Sequence, residues 1–238
     1  MLLSVQNIHK TFKGNVQALR GVSFELDRAQ VLGVVGESGS GKSTLAKIVM
    51  GFTRPDEGKV LLDGGKLDRR KVQIIFQNPF SSLDPRLSAG ASLAEAFRLN
   101  GLRGAQRLRS AVQEALRGVD LAPELAARFP HELSGGECQR IAIARSLSRS
   151  PELLVCDEPV SSLDLLAQAR VLNLFLKLQK ERRISLLFIS HDLRVVRHLC
   201  DRVLVMKEGL VCEEGELSQV YAKPQHPYTQ ELLFSSGI

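Results

Sequence analysis

Residues 36–43 match the phosphate-binding pattern G-x-x-x-x-G-K-[ST] at every position. An apolar run, Val31–Val35, precedes the motif, and apolar residues at helical spacing follow it. The backbone N–H groups of such a loop bind phosphate together with the N-terminus of the next helix. In this pattern Lys42 reaches the β- and γ-phosphates and Ser43 a magnesium ion. The motif predicts a nucleoside triphosphate site formed by Gly36, Glu37, Ser38, Gly39, Ser40, Gly41, Lys42, Ser43 and Thr44.

A second candidate phosphate site lies at Leu133-Ser134-Gly135-Gly136-Glu137. A helical stretch from Cys138 to Leu147 follows, so free backbone N–H groups are expected beside the hydroxyl of Ser134. Most Ser-Gly-Gly triplets are turns, and this one alone is a weak signal. Together with the first loop, it gives the chain two ends that can bind phosphate.

A short apolar run, Leu153–Cys156, is followed directly by two acidic residues, Asp157 and Glu158. The run predicts a buried strand whose C-terminal edge holds Asp157 for a metal ion and Glu158 for an attacking water. Acidic residues after an apolar strand are common in α/β folds, so this pattern alone leaves a purely structural role open.

The order of these motifs resembles that of the nucleotide-binding subunit of ATP-binding-cassette (ABC) proteins, over essentially the whole chain. The resemblance implies the P-loop NTPase (RecA-like) fold, an α/β architecture with a parallel-sheet core, an antiparallel β edge and an inserted α-helical subdomain. It also implies ATP and Mg²⁺ as ligands, with Glu158 as the general base. Leu133–Glu137 matches the signature motif of the family, with Glu137 where many members have glutamine.

Further roles come only from the resemblance. Phe12 matches the aromatic residue that stacks on adenine, and His191 matches the switch histidine. Gln77 matches the glutamine that senses the γ-phosphate, contacts the metal and couples to a membrane partner. Ser134, Gly135 and Gly136 are expected to close over the nucleotide of an opposing subunit, and Ser161–Asp164 matches the loop that crosses the dimer interface. Glu158, His191 and Gln77 are therefore the expected catalytic residues, and Ser43, Gln77 and Asp157 the expected metal ligands.

Two segments look like those of the oligopeptide, dipeptide and nickel importer ATPases, namely Phe76–Arg86 and Pro224–Leu233. The resemblance implies a second ATPase subunit, identical or different, two integral membrane permease subunits and an extracytoplasmic substrate-binding protein. Peptides, nickel and metal–metallophore complexes remain open as cargo. The alternative is an ABC ATPase of a soluble complex, such as the carbon–phosphorus lyase machinery. The second segment also has a purely structural interpretation, namely a terminal helix that begins with proline.

Composition supports a protein with a substantial core and argues against several classes. The chain has 238 residues, of which 44% are apolar. No apolar stretch approaches the roughly 18 residues that a membrane span needs, and the N-terminus lacks the pattern of a secretory signal. We therefore expect the chain to stay in the cytoplasm. The importer resemblance then implies a peripheral protein on the cytoplasmic face of the inner membrane. The net charge of +6 is spread along the chain without interleaved aromatic residues, which argues against nucleic-acid binding.

The apolar patterns predict one domain over residues 1–238. Its core spans residues 1–78 and 149–214. A helical subdomain spans about 79–148, and a C-terminal tail spans 215–238. Strands are expected at Ser4–Ile8, Val22–Leu26, Lys59–Asp63 and Ser185–Ile189, with a closing hairpin at Val203–Cys212. Three helices are expected to bury the faces Leu45, Ile48, Val49 and Phe52; Leu108, Val112, Ala115, Leu116 and Val119; and Leu165, Ala169, Leu172 and Leu176.

Overall fold

The computed structural model describes residues 1–238, which divide into two compact units. The first unit contains Met1–Ile74, Glu152–Glu158 and Leu178–Ile238, and the second contains Ile75–Pro151 and Pro159–Lys177. The chain thus leaves the first unit and returns to it twice. None of its helices combines the length and the apolar character needed to cross a bilayer.

A six-stranded sheet forms the centre of the first unit, in the order β10-β9-β3-β8-β7-β6. Its strands are β3 (Val31–Val35), β6 (Val72–Ile75), β7 (Leu153–Asp157), β8 (Ser185–Ile189), β9 (Arg202–Lys207) and β10 (Leu210–Glu216). β3 pairs in parallel with β8 and β9, and β7 pairs in parallel with β8. β9 and β10 form an antiparallel hairpin, as the sequence predicts.

A four-stranded antiparallel sheet, in the order β2-β1-β4-β5, forms the edge of the first unit. Its strands are β1 (Leu3–Phe12), β2 (Val16–Leu26), β4 (Glu57–Leu62) and β5 (Gly65–Lys66). Three register shifts interrupt the pairing of β1 with β2. The parallel core and the antiparallel edge confirm the predicted fold class.

The central strands are parallel because their sequences suit burial on both faces. Every residue of β3 and of β8 is buried, and such continuous apolar runs are typical of parallel sheets covered on both sides. The first unit also contains the helices α1 (Lys42–Val49), α6 (Leu193–Leu199), α7 (Leu217–Ala222) and α8 (Pro227–Ser235).

The second unit is helical. Its helices are α2 (Ala89–Leu99), α3 (Ala105–Gly118), α4 (Gly135–Leu147) and the first part of α5 (Leu165–Arg182), with 3₁₀ turns at Phe80–Ser82, Pro123–Ala127 and Pro130–Glu132. In α3, Leu108, Val112 and Leu116 are buried one turn apart. The predicted apolar face of this helix is confirmed, with Ala115 at its half-buried margin.

Two predicted helix faces are partly wrong. α1 ends at Val49, and Gly51 takes a left-handed φ of 69°. Phe52 therefore lies beyond the helix, with 56% of its surface exposed. In α5, Leu165 is 86% exposed and Ala169 is also exposed. The buried residues of this helix instead begin at Val171.

The four cysteines form no disulfide. Cys138, Cys156 and Cys200 are buried, as small apolar residues often are, whereas Cys212 on β10 is only half-buried. Burial raises the pKa of the Cys138 thiol to about 11. A thiol with a raised pKa remains protonated near neutral pH and is a poor nucleophile.

Leu187 on β8 is fully buried in the apolar core of the first unit. Leu187→Ala should lower the free energy of unfolding by about 2–5 kcal/mol, because it removes buried methyl groups and leaves a cavity. Denaturant titration measures the change. The matched control is Leu166→Ala, since Leu166 is exposed and should cost less than about 0.5 kcal/mol. Equal losses in the two variants would contradict the assignment of this core.

Candidate functional site

The loop after β3 has the backbone shape that its glycines were predicted to provide. Gly36 has a φ of 151° and Gly41 a φ of 105°. A Cβ atom on Gly36 would lie 2.1 Å from the carbonyl oxygen of Met206, and one on Gly41 would lie 2.5 Å from that of Ala18. Both positions therefore require glycine. Of the other predicted loop residues, Ser40 is buried, Thr44 is half-buried, and Glu37, Ser38, Gly39 and Ser43 are exposed.

Lys42 is the first residue of α1 and lies inside the curve of the loop. Its Nζ donates to the carbonyl oxygens of Gly36 and Glu37, both at 2.7 Å, and to Ser40 Oγ at 3.3 Å. The residue is only 5% exposed. Burial lowers the pKa of the Lys42 ammonium, whereas the charge of Glu158 acts in the opposite direction. A phosphate group at the loop would provide this cation with a negative partner.

Ser43 and Asp157 lie together at the end of β7. Ser43 Oγ donates to Asp157 Oδ1 at 3.1 Å. Burial raises the pKa of the Asp157 carboxyl, and the hydrogen bond from Ser43 partly offsets this. A hydroxyl and a carboxylate are oxygen ligands of the kind that Mg²⁺ prefers, and Mg²⁺ usually takes one or two carboxylates together with phosphates and water. The pair therefore fits the predicted metal.

The structure brings Glu158 and His191 together, although they are 33 positions apart in the chain. His191 Nδ1 lies 3.2 Å from Glu158 Oε2. Glu158 has a left-handed φ of 49°, and its backbone N–H donates to the carbonyl of Ile189 at 3.1 Å. Non-glycine residues in this region are strained, and such strain is often found at functional sites. Asp157 is the last residue of β7, so the change of backbone conformation comes directly after the strand.

Phe12 is the last residue of β1, and the residue is 43% exposed. Lys10 Nζ lies 5.7 Å from the centre of the ring. An exposed ring at the end of a strand is able to stack on a planar ligand. Adenine stays the predicted partner of this ring.

Gln77 belongs to the second unit and directly follows β6. Its carbonyl oxygen accepts a hydrogen bond from Ser162 Oγ at 3.0 Å. The next residue, Asn78, accepts from the backbone N–H of Phe80 through its side chain at 3.0 Å. Two hydrogen bonds therefore hold the main chain from the Gln77 carbonyl onward.

Ser134 is the N-cap of α4, so the predicted helix end is present in the second unit. The Ser134 hydroxyl donates to Glu137 Oε2 at 2.7 Å, and the Glu137 backbone N–H donates back to Ser134 Oγ at 3.3 Å. The hydrogen bond from Ser134 is the main reason that the pKa of the Glu137 carboxyl is lowered. Gly136 allows close packing, because a Cβ atom there would lie 2.8 Å from Ala167 Cβ.

Gln139 and Tyr228 contact these loops, yet no motif identifies them in the sequence. Gln139 is fully buried in α4, and its Nε2 donates to the carbonyls of Phe76 at 3.3 Å and Pro159 at 2.7 Å. Tyr228 on α8 accepts a hydrogen bond from the backbone N–H of Glu37. The signal in the sequence that could have identified Gln139 is a polar residue within an otherwise apolar helix face. Tyr228 lies within Pro224–Leu233, the terminal segment that stands out in the sequence only through the family resemblance.

Comparison with known proteins finds relatives of this chain. A family model described as ABC transporter matches residues 19–161. The di/tripeptide transport ATP-binding protein DppF of Pseudomonas aeruginosa is 47% identical over 234 residues, covering 93% of this chain and 72% of DppF. The oligopeptide transport ATP-binding protein AppF of Bacillus subtilis is 44% identical over 236 residues, covering 94% of this chain and 72% of AppF.

A solved structure supports the fold. It is the dimeric structure of a post-hydrolysis state of the ATP-binding cassette MJ0796 bound to ADP and Pi. It matches with a TM-score of 0.81 and 31% identity, and the match covers 91% of this chain and 99% of that chain. The agreement extends over nearly the whole of both chains.

Proposed function

Because the chain belongs to the ABC transporter family and is an ATPase of the importer type, we propose that ATP hydrolysis at its nucleotide loop drives the import of peptides. One observation carries the proposal at the site. The glycine loop with Lys42, the Ser43–Asp157 pair and the Glu158–His191 pair all lie at the carboxyl ends of neighbouring strands. Ligands of open α/β sheets bind at this edge.

Each residue of the site has a proposed task in phosphoryl transfer to water. Lys42 and the N–H groups of the loop bind the β- and γ-phosphates, and Phe12 stacks on the base. Glu158 accepts the proton of the attacking water, and His191 holds the γ-phosphate. Ser43 and Asp157 would hold Mg²⁺, with Gln77 as a further ligand by resemblance. The ion would neutralise negative charge that develops on the phosphates.

The second phosphate-binding end acts on a partner subunit in this proposal. Ser134, Gly135 and Gly136 close over the nucleotide of the opposing ATPase subunit, as the family resemblance implies. The dimeric state named for MJ0796 supports such an assembly. ATP bound between two subunits favours the closed dimer, and hydrolysis allows the dimer to open. The dimer therefore switches between a closed and an open state.

Peptides are the cargo that the relatives favour. DppF and AppF are named for di/tripeptide and oligopeptide transport, whereas nickel remains a possibility at the level of the wider family. Neither relative is named for a soluble lyase complex. We therefore propose a peripheral subunit on the cytoplasmic face of the membrane, together with a second ATPase, two permease subunits and an extracytoplasmic binding protein.

Affinity purification from detergent-solubilised membranes tests this assembly. We expect polytopic membrane subunits and a second ATPase, or a second copy of this chain, to purify with the tagged protein. Peptides bound by the associated binding protein would then identify the cargo. Recovery of the chain with soluble enzymes alone would contradict the importer proposal and support the lyase alternative.

Glu158→Gln tests the proposed base. The amide keeps the size of the side chain but accepts no proton, so turnover should fall by ~10² to 10⁴ while ATP affinity stays close to wild type. Lys42→Ala should instead weaken ATP binding. The control is Glu181→Gln, because Glu181 is exposed near the end of α5. Near wild-type hydrolysis in Glu158→Gln would remove the base from this position.

Ser134→Arg tests the action on a partner's nucleotide. The single chain should still bind ATP, because Ser134 does not belong to its own nucleotide loop. The variant should neither dimerise nor hydrolyse ATP, because the long arginine side chain would obstruct closure over the partner's nucleotide. Ser88→Arg is a matched control, since Ser88 also caps a helix through its hydroxyl, at α2. Loss of either cap costs about 0.5–2 kcal/mol of stability. Loss of ATP binding by the single chain, or an equal loss of dimer in Ser88→Arg, would contradict the proposal.

A further inference from the structure

The terminal segment Pro224–Leu233 is anchored in the first unit. The carboxylate of Glu213 on β10 accepts hydrogen bonds from the backbone N–H groups of Gln225 at 2.8 Å and His226 at 3.0 Å. His226 then caps α8, because its Nδ1 accepts from the backbone N–H of Tyr228 at 3.1 Å. Pro227 occupies the first turn, where its missing N–H costs nothing. These contacts fix the start of α8 against β10.

Tyr228 connects this helix to the phosphate loop. The residue is 3% exposed, and its phenol oxygen accepts a hydrogen bond from the backbone N–H of Glu37 at 3.1 Å. Lys207 Nζ lies 4.4 Å from the centre of the ring, at cation–π distance. Burial raises the pKa of the Tyr228 phenol, so the group is neutral near neutral pH. The ring and the hydroxyl are therefore both held in place.

The peptide group between Gly36 and Glu37 is bound on both sides. Its N–H donates to Tyr228, and its carbonyl oxygen accepts from Lys42 Nζ at 2.7 Å. The N–H and C=O of one trans peptide point in opposite directions, so the two contacts fix the orientation of its plane. Gly36 lacks a side chain that could restrict its backbone. Tyr228 supplies the restriction from a distant part of the chain.

We propose that Tyr228 is a positioning residue for nucleotide binding, acting through the Gly36–Glu37 peptide. It keeps the entry of the loop in one conformation, so that Lys42 and the following N–H groups bind phosphate without first being ordered. Preorganisation of this kind strengthens binding because less conformational freedom is lost when the ligand binds. The inference rests on the proposed role of the loop as the ATP site.

Tyr228→Phe tests the inference, because it removes only the phenol oxygen and keeps the ring over Lys207. We expect the Kd and the KM for ATP to rise roughly 3- to 10-fold, the equivalent of one hydrogen bond. The kcat should change less than about 2-fold, since the oxygen contacts no group assigned to the chemical step. Kd is measured by equilibrium ATP binding with EDTA present, and KM and kcat by hydrolysis of Mg-ATP.

Tyr221→Phe is the matched control. Tyr221 is the other tyrosine of the chain, and its hydroxyl donates to the carbonyl of Leu193 at 2.7 Å. This variant loses a comparable hydrogen bond but should leave the Kd for ATP unchanged. An unchanged Kd in Tyr228→Phe, or the same increase in both variants, would overturn the inference. A lowered kcat with an unchanged KM would also overturn it.

Amide hydrogen exchange provides a second measurement that does not depend on turnover. In Tyr228→Phe the Glu37 amide should exchange faster than in wild type, and in Tyr221→Phe at the wild-type rate. Unchanged exchange at Glu37 would contradict the contact itself. Lys42→Ala separates the inference from the proposed function. If it abolishes ATP binding while Tyr228→Phe binds normally, only the positioning role fails; if it binds normally, the loop is not the ATP site.

Discussion

Parallel pairing of β3, β8 and β7 determines where the chemistry of the first unit lies. Parallel strands direct their carboxyl ends to the same edge, so the loop after β3, the acids at the end of β7 and the histidine after β8 lie near one another. The packing leaves little freedom. A Cβ atom on Gly33 in β3 would lie 2.7 Å from Val196 Cγ1 of α6. The core beneath the site is thus packed so closely that it has no room for a methyl group at position 33.

Burial shifts the pKa values of two groups at this edge, Lys42 and Asp157, in opposite directions. It lowers the pKa of the Lys42 ammonium and raises that of the Asp157 carboxyl, so in each case it disfavours the charged form. A bound partner of opposite charge stabilises the charged form of each group. This partner is a phosphate for Lys42 and a cation for Asp157. The same burial that gives the strands their stability therefore favours binding of a metal–phosphate ligand.

The sequence was informative where side-chain type and backbone geometry are linked locally. Glycines at positions that require positive φ, and a lysine at the start of a helix, predict the phosphate loop. Apolar runs predict the strands that position Asp157 and Glu158. The exposed first turn of α5 and the early end of α1 were missed, because apolar periodicity does not show which residues a neighbour covers. Tyr228 was missed because its contact with Glu37 links residues 191 positions apart.

The backbone of Glu158 has a consequence for how this chain could change over many generations. A left-handed conformation costs most residues about 1–2 kcal/mol, but glycine and asparagine adopt it more readily. If selection for hydrolysis were relaxed while selection for folding persisted, Asn or Gly at position 158 would relieve strain and remove the carboxylate in one step. Relief of this strain therefore favours the loss of hydrolysis, whereas the contact of Glu158 with His191 and the requirement for turnover oppose it.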